Sequence, residues 1–325
     1  MKNPLGQSDV AAGSASEASA HARQLIDNVG GVFVGKEQVV TLAVLALISG
    51  GHLLLEDVPG VGKTLLARAL AKSLRAQFKR IQFTADLLPS DISGVTVFSP
   101  EDRQFAFRPG PIFANIVLGD EINRATPRTQ SSLLEAMEEQ SVTVDGVVHS
   151  LETPFFVMAT QNPVELEGTY ALPFAQMDRF MLRLSIGYLE RAAEMLMLRA
   201  QQSGDPIERL SPVMTCATLV ELQAAVRSVA IDDALLGYLV DLVRATRSVD
   251  SLEYGASPRG SLDLQRCSQA MALVAGRDYV LPDDIKQSAR QVLPHRLISR
   301  KGTRSVTLSA KAVIDQILDS VPVPV

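Results

Sequence analysis

Between residues 52 and 186, short apolar runs alternate with stretches long enough for helices. The runs are His52–Glu56, Arg80–Thr84, Asn115–Gly119, Pro154–Thr160 and Met181–Ile186. Apolar strands separated by helix-length segments predict an α/β domain, a parallel sheet with helices on both faces. Two interruptions predict inserted β-hairpins. Gly94–Phe98 and Gln104–Phe107 flank the turn-rich residues 99–103, and Val142–Val144 and Val147–Leu151 flank Asp145-Gly146, a dipeptide suited to a two-residue type I′ turn. After Tyr188 the period becomes helical, as in Leu235, Leu239 and Leu242, or Leu264, Cys267, Met271 and Val274. Ser257-Pro258 supplies an N-cap and a first-turn proline, and Asp283 and Asp284 follow Pro282 in the same manner. The chain thus divides into a flexible tail at 1–22, an α/β core at 23–188 and a smaller all-helical domain at 189–325.

Composition narrows the classes. At 325 residues, with 46% hydrophobic and 21% charged, the chain can bury a real core, which excludes disorder throughout. A net charge of −5 and the absence of Trp argue against a general affinity for nucleic acid or anionic membrane. The longest apolar run, Val39–Leu55, is broken by Ser49, Gly50, Gly51 and His52, and residues 1–22 lack a signal-peptide core. A soluble cytoplasmic protein without direct membrane insertion is expected. Cys216 and Cys267 read as buried structural thiols, and the four histidines never approach metal-ligand spacing.

The chemistry concentrates at the ends of the apolar strands. Leu53-Leu54-Leu55 runs into Glu56-Asp57-Val58-Pro59-Gly60-Val61-Gly62-Lys63-Thr64, followed by the helix starting at Leu65. Strand, glycine-rich loop and helix form the context of a phosphate cradle, with Pro59, Gly60, Val61, Gly62 and Leu65 around it. Lys63 would contact the β- and γ-phosphates, and the Thr64 hydroxyl would ligate Mg²⁺. The usual first Gly of this pattern is Asp57, with little consequence expected because Pro59–Thr64 carries the cradle. Ile116–Gly119 ends in Asp120-Glu121, where Asp120 would hold Mg²⁺ through water and Glu121 would deprotonate the attacking water. Phe155–Thr160 ends in Gln161-Asn162-Pro163. Asn162 would hold that water or the γ-phosphate, although an isolated Asn-Pro also suits a plain turn.

These residues resemble AAA+ ATPases, and among them the MoxR group. The resemblance lies in FTADLLPSDISG (83–94), GPIFANIVLGDEINRATPRTQSSLLEAMEEQSVTVDG (110–146), FFVMATQNPVELEGTYALPFAQMDRF (155–180) and GASPRGSLDL (255–264). It implies a five-stranded αβα P-loop core with a helix-2 insert hairpin and a pre-sensor-1 hairpin, followed by a helical lid. It implies Walker A at Lys63 and Thr64, Walker B at Asp120 and Glu121, sensor 1 at Asn162 and sensor 2 at Arg259. Arg179 matches an arginine finger, and Val34-Gly35-Lys36 lies where such proteins pack against adenine. Arg259, at the start of a lid helix, is expected to contact γ-phosphate and couple lid angle to nucleotide state. Arg124 and Arg128 are weaker candidates for a role across subunits. Phe174 replaces the glutamate usual in LPEAQ, which touches contacts at the subunit boundary rather than nucleotide chemistry.

The resemblance further implies Mg²⁺-dependent ATP hydrolysis by a homo-hexameric ring and chaperone-like remodelling or maturation of a protein client. A partner bearing a von Willebrand factor A domain is implied as well. Three alternatives are the motor subunit of a metal chelatase, a nucleic-acid translocase, and a nucleotide-gated scaffold with little turnover.

Overall fold

Apolar residues at alternate strand positions face opposite sides of a sheet, and the core separates accordingly. The computed structural model describes residues 6–101, 103–163, 168–202, 204–300 and 309–324, with the backbone alone for residues 6–15. The chain begins with α1 (Gly6–Gly30), α2 (Glu37–Ile48), β1 (Leu53–Glu56), α3 (Lys63–Ser73) and β2 (Phe78–Gln82). A short α4 (Pro89–Ser93) leads into the antiparallel pair β3 (Gly94–Ser99) and β4 (Gln104–Pro109). Then come β5 (Ile116–Asp120), α5 (Pro127–Glu139) and the second antiparallel pair, β6 (Ser141–Val144) with β7 (Val147–Ser150). β8 (Phe156–Gln161), α6 (Phe174–Met177) and β9 (Leu182–Leu184) complete the core.

The five core strands form a parallel sheet in the order β2-β5-β8-β1-β9. Leu53, Leu55, Ile116, Leu118, Phe156 and Met158 join the cluster under α1, α2 and α3, whereas Leu54, Val117, Val157 and Ala159 join the cluster under α5. Both hairpins form where turn chemistry placed them. Asp145 (φ +50°) and Gly146 (φ +80°) adopt the two left-handed conformations of a type I′ turn. Residue 102 of the other turn lies outside the described residues.

Residues 1–22 depart from the expected flexible tail: the chain is helical from Gly6, and residues 1–5 lie outside the described residues. Ala18, Ala22, Leu25 and Val29 recur at helical spacing and are buried, so an alanine-rich stretch that looked merely polar and small is a packed helix. Arg23 Nε donates to the Val274 carbonyl oxygen at 2.8 Å, tying α1 to a residue 251 positions away in sequence.

Beyond the sheet lie α7 (Arg191–Gln202), α8 (Pro206–Arg209), α9 (Cys216–Ser228) and α10 (Asp233–Thr246). They are followed by β10 (Leu252–Tyr254), α11 (Pro258–Val274), α12 (Pro282–Val292), β11 (Ile298–Ser299) and α13 (Ala310–Ser320). The region is helical as expected except for the antiparallel β10–β11 ribbon. Ser257 caps α11, its Oγ accepting the N–H of Arg259 at 3.1 Å. Cys267 is buried and its thiol is pushed up to about 11 by burial, whereas Cys216 is only half-buried. No helix among the described residues is long and apolar enough to cross a membrane.

Candidate functional site

The loop between β1 and α3 curls because Gly60 (φ +86°) and Gly62 (φ +97°) adopt left-handed conformations that L side chains resist. A Cβ on Gly62 would also lie 3.0 Å from the Phe33 ring, so the close approach of these two segments requires glycine. Lys63 opens α3, buried beneath the loop, and its Nζ donates to the Asp57 carbonyl oxygen at 2.7 Å. Burial lowers its pKa, against the opposing pull of Asp120, Asp57 and Glu121. Thr64 follows, half-buried, in the first turn of α3.

Asp57 has a larger role than the sequence suggested. Its Oδ2 accepts the N–H groups of Ile186 at 2.6 Å and Gly187 at 2.7 Å and the Ser185 hydroxyl at 3.0 Å. Its Oδ1 accepts the Val58 N–H at 2.9 Å. Burial opposes its charge, but these bonds together hold its carboxyl below the usual carboxylate range. The residue that replaces the first glycine therefore fastens the phosphate loop to the segment leaving β9.

That segment walls a cavity of about 260 Å³ beside the loop, lined by Phe33, Val34, Pro59–Gly62 and Leu65, with Gly187, Tyr188 and Met197 opposite. Val34 and Leu65 thus face one apolar pocket with the glycine loop. Gly35 packs under α7 instead, where a Cβ would sit 2.4 Å from that of Ala193.

The acid pair stands at the same, carboxyl edge of the sheet, since Gln82 is in register with Asp120 and Glu56 with Gln161. Asp120 Oδ1 accepts the Thr160 hydroxyl at 2.6 Å, and Oδ2 accepts Arg80 at 2.6 Å. Glu121 has φ +58°, an uncommon conformation for a side-chain-bearing residue, and its N–H donates to Thr160 Oγ1 at 2.9 Å. Its carboxylate accepts Gln82 Nε2 at 2.9 Å and Arg124 at 3.0 Å. Asn162 is buried just beyond β8, its carbonyl oxygen 3.5 Å from Asn123 Nδ2. Arg128 is exposed on the first turn of α5. An anion cradle, an apolar cavity and carboxylate and hydroxyl oxygens together fit ATP and Mg²⁺, a hard cation that takes oxygen ligands. Thr64 and Asp120 are the residues that would hold the ion.

Arg179 and Arg259 lie elsewhere. They line a cleft of about 200 Å³ with Gly50, Gly51 and His52, which precede β1, and with Glu138 in the last turn of α5. This is the amino edge of the sheet. Strands of this length separate the two edges by about 13–20 Å, so Arg259 stands at the edge opposite the phosphate loop of its own chain. The reason is how the helical region docks. Arg296, fully buried, pairs with Asp263 at 2.6 Å and Asp178 at 3.2 Å and donates to the Phe180 carbonyl oxygen at 2.8 Å. The Ser257 hydroxyl donates to Asp178 Oδ2 at 2.7 Å. Asp178 is therefore committed to α11 and its neighbours, and Arg179 pairs with Glu138 instead, at 2.8 Å. Phe174 is half-buried and lines a separate cavity with Met177 and His295.

Sequence reasoning missed Asp57 as an anchor, and it missed Arg80, Gln82, Glu138 and Arg296 altogether. Glu138 and Glu139 are adjacent acids with no local mark of a role, and only the fold brings Glu138 to two arginines.

Known proteins resemble this chain along most of its length. Residues 52–182 match the ATPase family associated with various cellular activities (AAA), and residues 244–317 match the AAA lid domain. The chain is 38% identical to chaperone MoxR1 of Mycobacterium tuberculosis over 97% of its own length and 85% of the relative's. It is 51% identical to the uncharacterized protein YeaC of Bacillus subtilis, over 92% and 94% of the two chains. A crystal structure of a presumed ATPase from Cytophaga hutchinsonii superposes with a TM-score of 0.91 at 37% identity, covering 98% of this chain and 99% of that one.

Proposed function

The chain belongs to the MoxR family of AAA+ ATPases, and on that premise we propose that it hydrolyses ATP at sites shared between neighbouring subunits of a ring. One observation carries this reading: cradle and acid pair occupy the carboxyl edge of the sheet, while Arg179 and Arg259 occupy the amino edge. Phosphoryl transfer spreads negative charge over the terminal phosphate oxygens, and arginines placed there are worth about 10³–10⁵ in rate. Arginines too far from their own cradle serve the cradle of the next subunit.

Within such a site, the apolar cavity holds adenine and the N–H groups of residues 60–64 hold the phosphates. Glu121, released from Gln82 and Arg124, takes the proton of the attacking water, and Asn162 helps to place that water. Thr64 and Asp120 would hold Mg²⁺, which would supply charge neutralisation of the phosphate oxygens. The ring is proposed as a homo-hexamer that remodels or matures protein clients, in line with the name chaperone borne by the tuberculosis relative. A von Willebrand factor A domain partner belongs to the same proposal. Steady-state hydrolysis against protein concentration tests it: specific activity should rise with concentration as sites assemble. Full activity in monomers at the lowest concentrations would refute shared sites.

A further inference from the structure

Glu138 joins two basic groups from different parts of the chain. Its Oε2 accepts Arg179 Nε, and its Oε1 accepts an Nη of Arg259. Arg179 follows α6 in the core and Arg259 starts α11, so one carboxylate links both to the last turn of α5. Each arginine contributes one N–H to Glu138. Among the described residues no other acceptor takes a side-chain bond from either guanidinium, and the remaining N–H groups are left for an anion at the cleft. Asp263, the other carboxylate lining the cleft, is committed to Arg296, and Arg266 adds a further positive group. Burial opposes the charge of Glu138, but Arg259 and then Arg179 outweigh it, so the acid stays ionised below the usual carboxylate range.

The backbone beneath Glu138 is held as well. His52 Nε2 bonds the Met137 carbonyl oxygen at 3.1 Å, and His52 Nδ1 accepts the Val157 N–H at 3.1 Å, which ties the end of α5 to β1 and β8.

We propose that Glu138 is a positioning residue that sets the spacing and direction of Arg179 and Arg259, so that the pair closes together on the terminal phosphate bound by a neighbouring subunit. This rests on the shared-site reading above. A carboxylate with one oxygen on each guanidinium holds both charged groups at a set separation, and loss of about 1 Å in such placement costs about a hundredfold in rate. Its role is distinct from building the cradle: Glu138 lies at the edge opposite its own cradle, so its removal leaves the groups that bind the nucleotide in place, and the arginines act on the transition state rather than on binding.

Complementation between variants tests it. Glu138→Ala should bind ATP like the wild type, hydrolyse it about a hundredfold more slowly, and regain turnover when mixed with Lys63→Ala, which keeps its arginines but lacks a cradle. It should not regain turnover with Arg179→Ala, because both are defective on the same edge. Glu138→Gln, of equal size, should behave like the alanine variant, which separates loss of charge from loss of packing. Wild-type or raised turnover in Glu138→Ala would overturn the proposal, as would a dead variant that Lys63→Ala fails to rescue while rescuing Arg179→Ala. If Arg179→Ala is itself not rescued, the shared-site reading fails and Glu138 falls with it.

Discussion

The carboxylate of Asp57 accepts the backbone N–H of Gly187 at 2.7 Å, so the glycine loop and the wall of the apolar cavity beside it are held by one side chain. Lys63, bonded to the carbonyl oxygen of the same residue, must leave it to reach a phosphate. Nucleotide binding therefore acts on a loop that is already fastened to the segment leading into α7.

Replacing Asp57 by glycine, the residue usual in this pattern, should weaken the protein rather than improve the cradle. It strands the N–H groups of Ile186 and Gly187, and a buried donor without a partner costs about 1–3 kcal/mol. Thermal melting of Asp57→Gly should show a clear fall in Tm, with reduced ATP affinity as the cavity wall loosens.

Glu121→Gln should bind ATP yet hydrolyse it at least about a hundredfold more slowly, the usual contribution of a general base. Equilibrium nucleotide binding beside single-turnover hydrolysis checks both halves.

Arg80 occupies one oxygen of Asp120 at 2.6 Å and is about half exposed. Its release should lower the Mg²⁺ concentration needed for half-maximal turnover. An exposed ion pair is worth up to about 1 kcal/mol, so the shift should not exceed about fivefold. Mg²⁺ titration of Arg80→Ala against the wild type measures it.

Stability should fall as pH drops from about 6.5 towards 4. His52 is lowered to about 4 by burial, which its bond to Met137 only partly offsets, and His295 is also lowered well below its usual value, by burial and then by Arg296. Between these values the unfolded chain binds protons that the folded chain refuses, so stability is full above the unfolded pKa and drains below it. For His52 alone the loss is on the order of 3 kcal/mol. Asp57 and Glu138, whose pKa values are depressed, add to the loss at still lower pH. Denaturant midpoints at pH 7 and pH 5 test this, and His52→Gln should flatten the difference.

Local signals made much of this architecture legible. β1, β5 and β8 are short runs buried on both faces, and Asp145-Gly146 dictates its own turn. Each is written within a few residues of where it acts. Signals that depend on packing were not legible. The alanine-rich start of α1 is indistinguishable in composition from a tail until Ala22 and Leu25 have a surface to meet. Arg259 could be recognised beside its capping serine, but the edge of the sheet it reaches is decided by Arg296, 37 residues later. Glu138 and Asp57 carry no local mark, because an acid in a charged run and an acid in a loop acquire their roles only from partners distant in sequence.

Mixing Lys63→Ala with Arg179→Ala tests the shared site most directly. Each variant alone should be nearly inactive, one without a cradle and the other without the arginine that serves its neighbour. Recovered turnover in the mixture is the expected result, because unlike neighbours then assemble intact sites. Hetero-oligomers that form without any recovery, beside an active wild type, would contradict it and confine Arg179 to a role within its own chain.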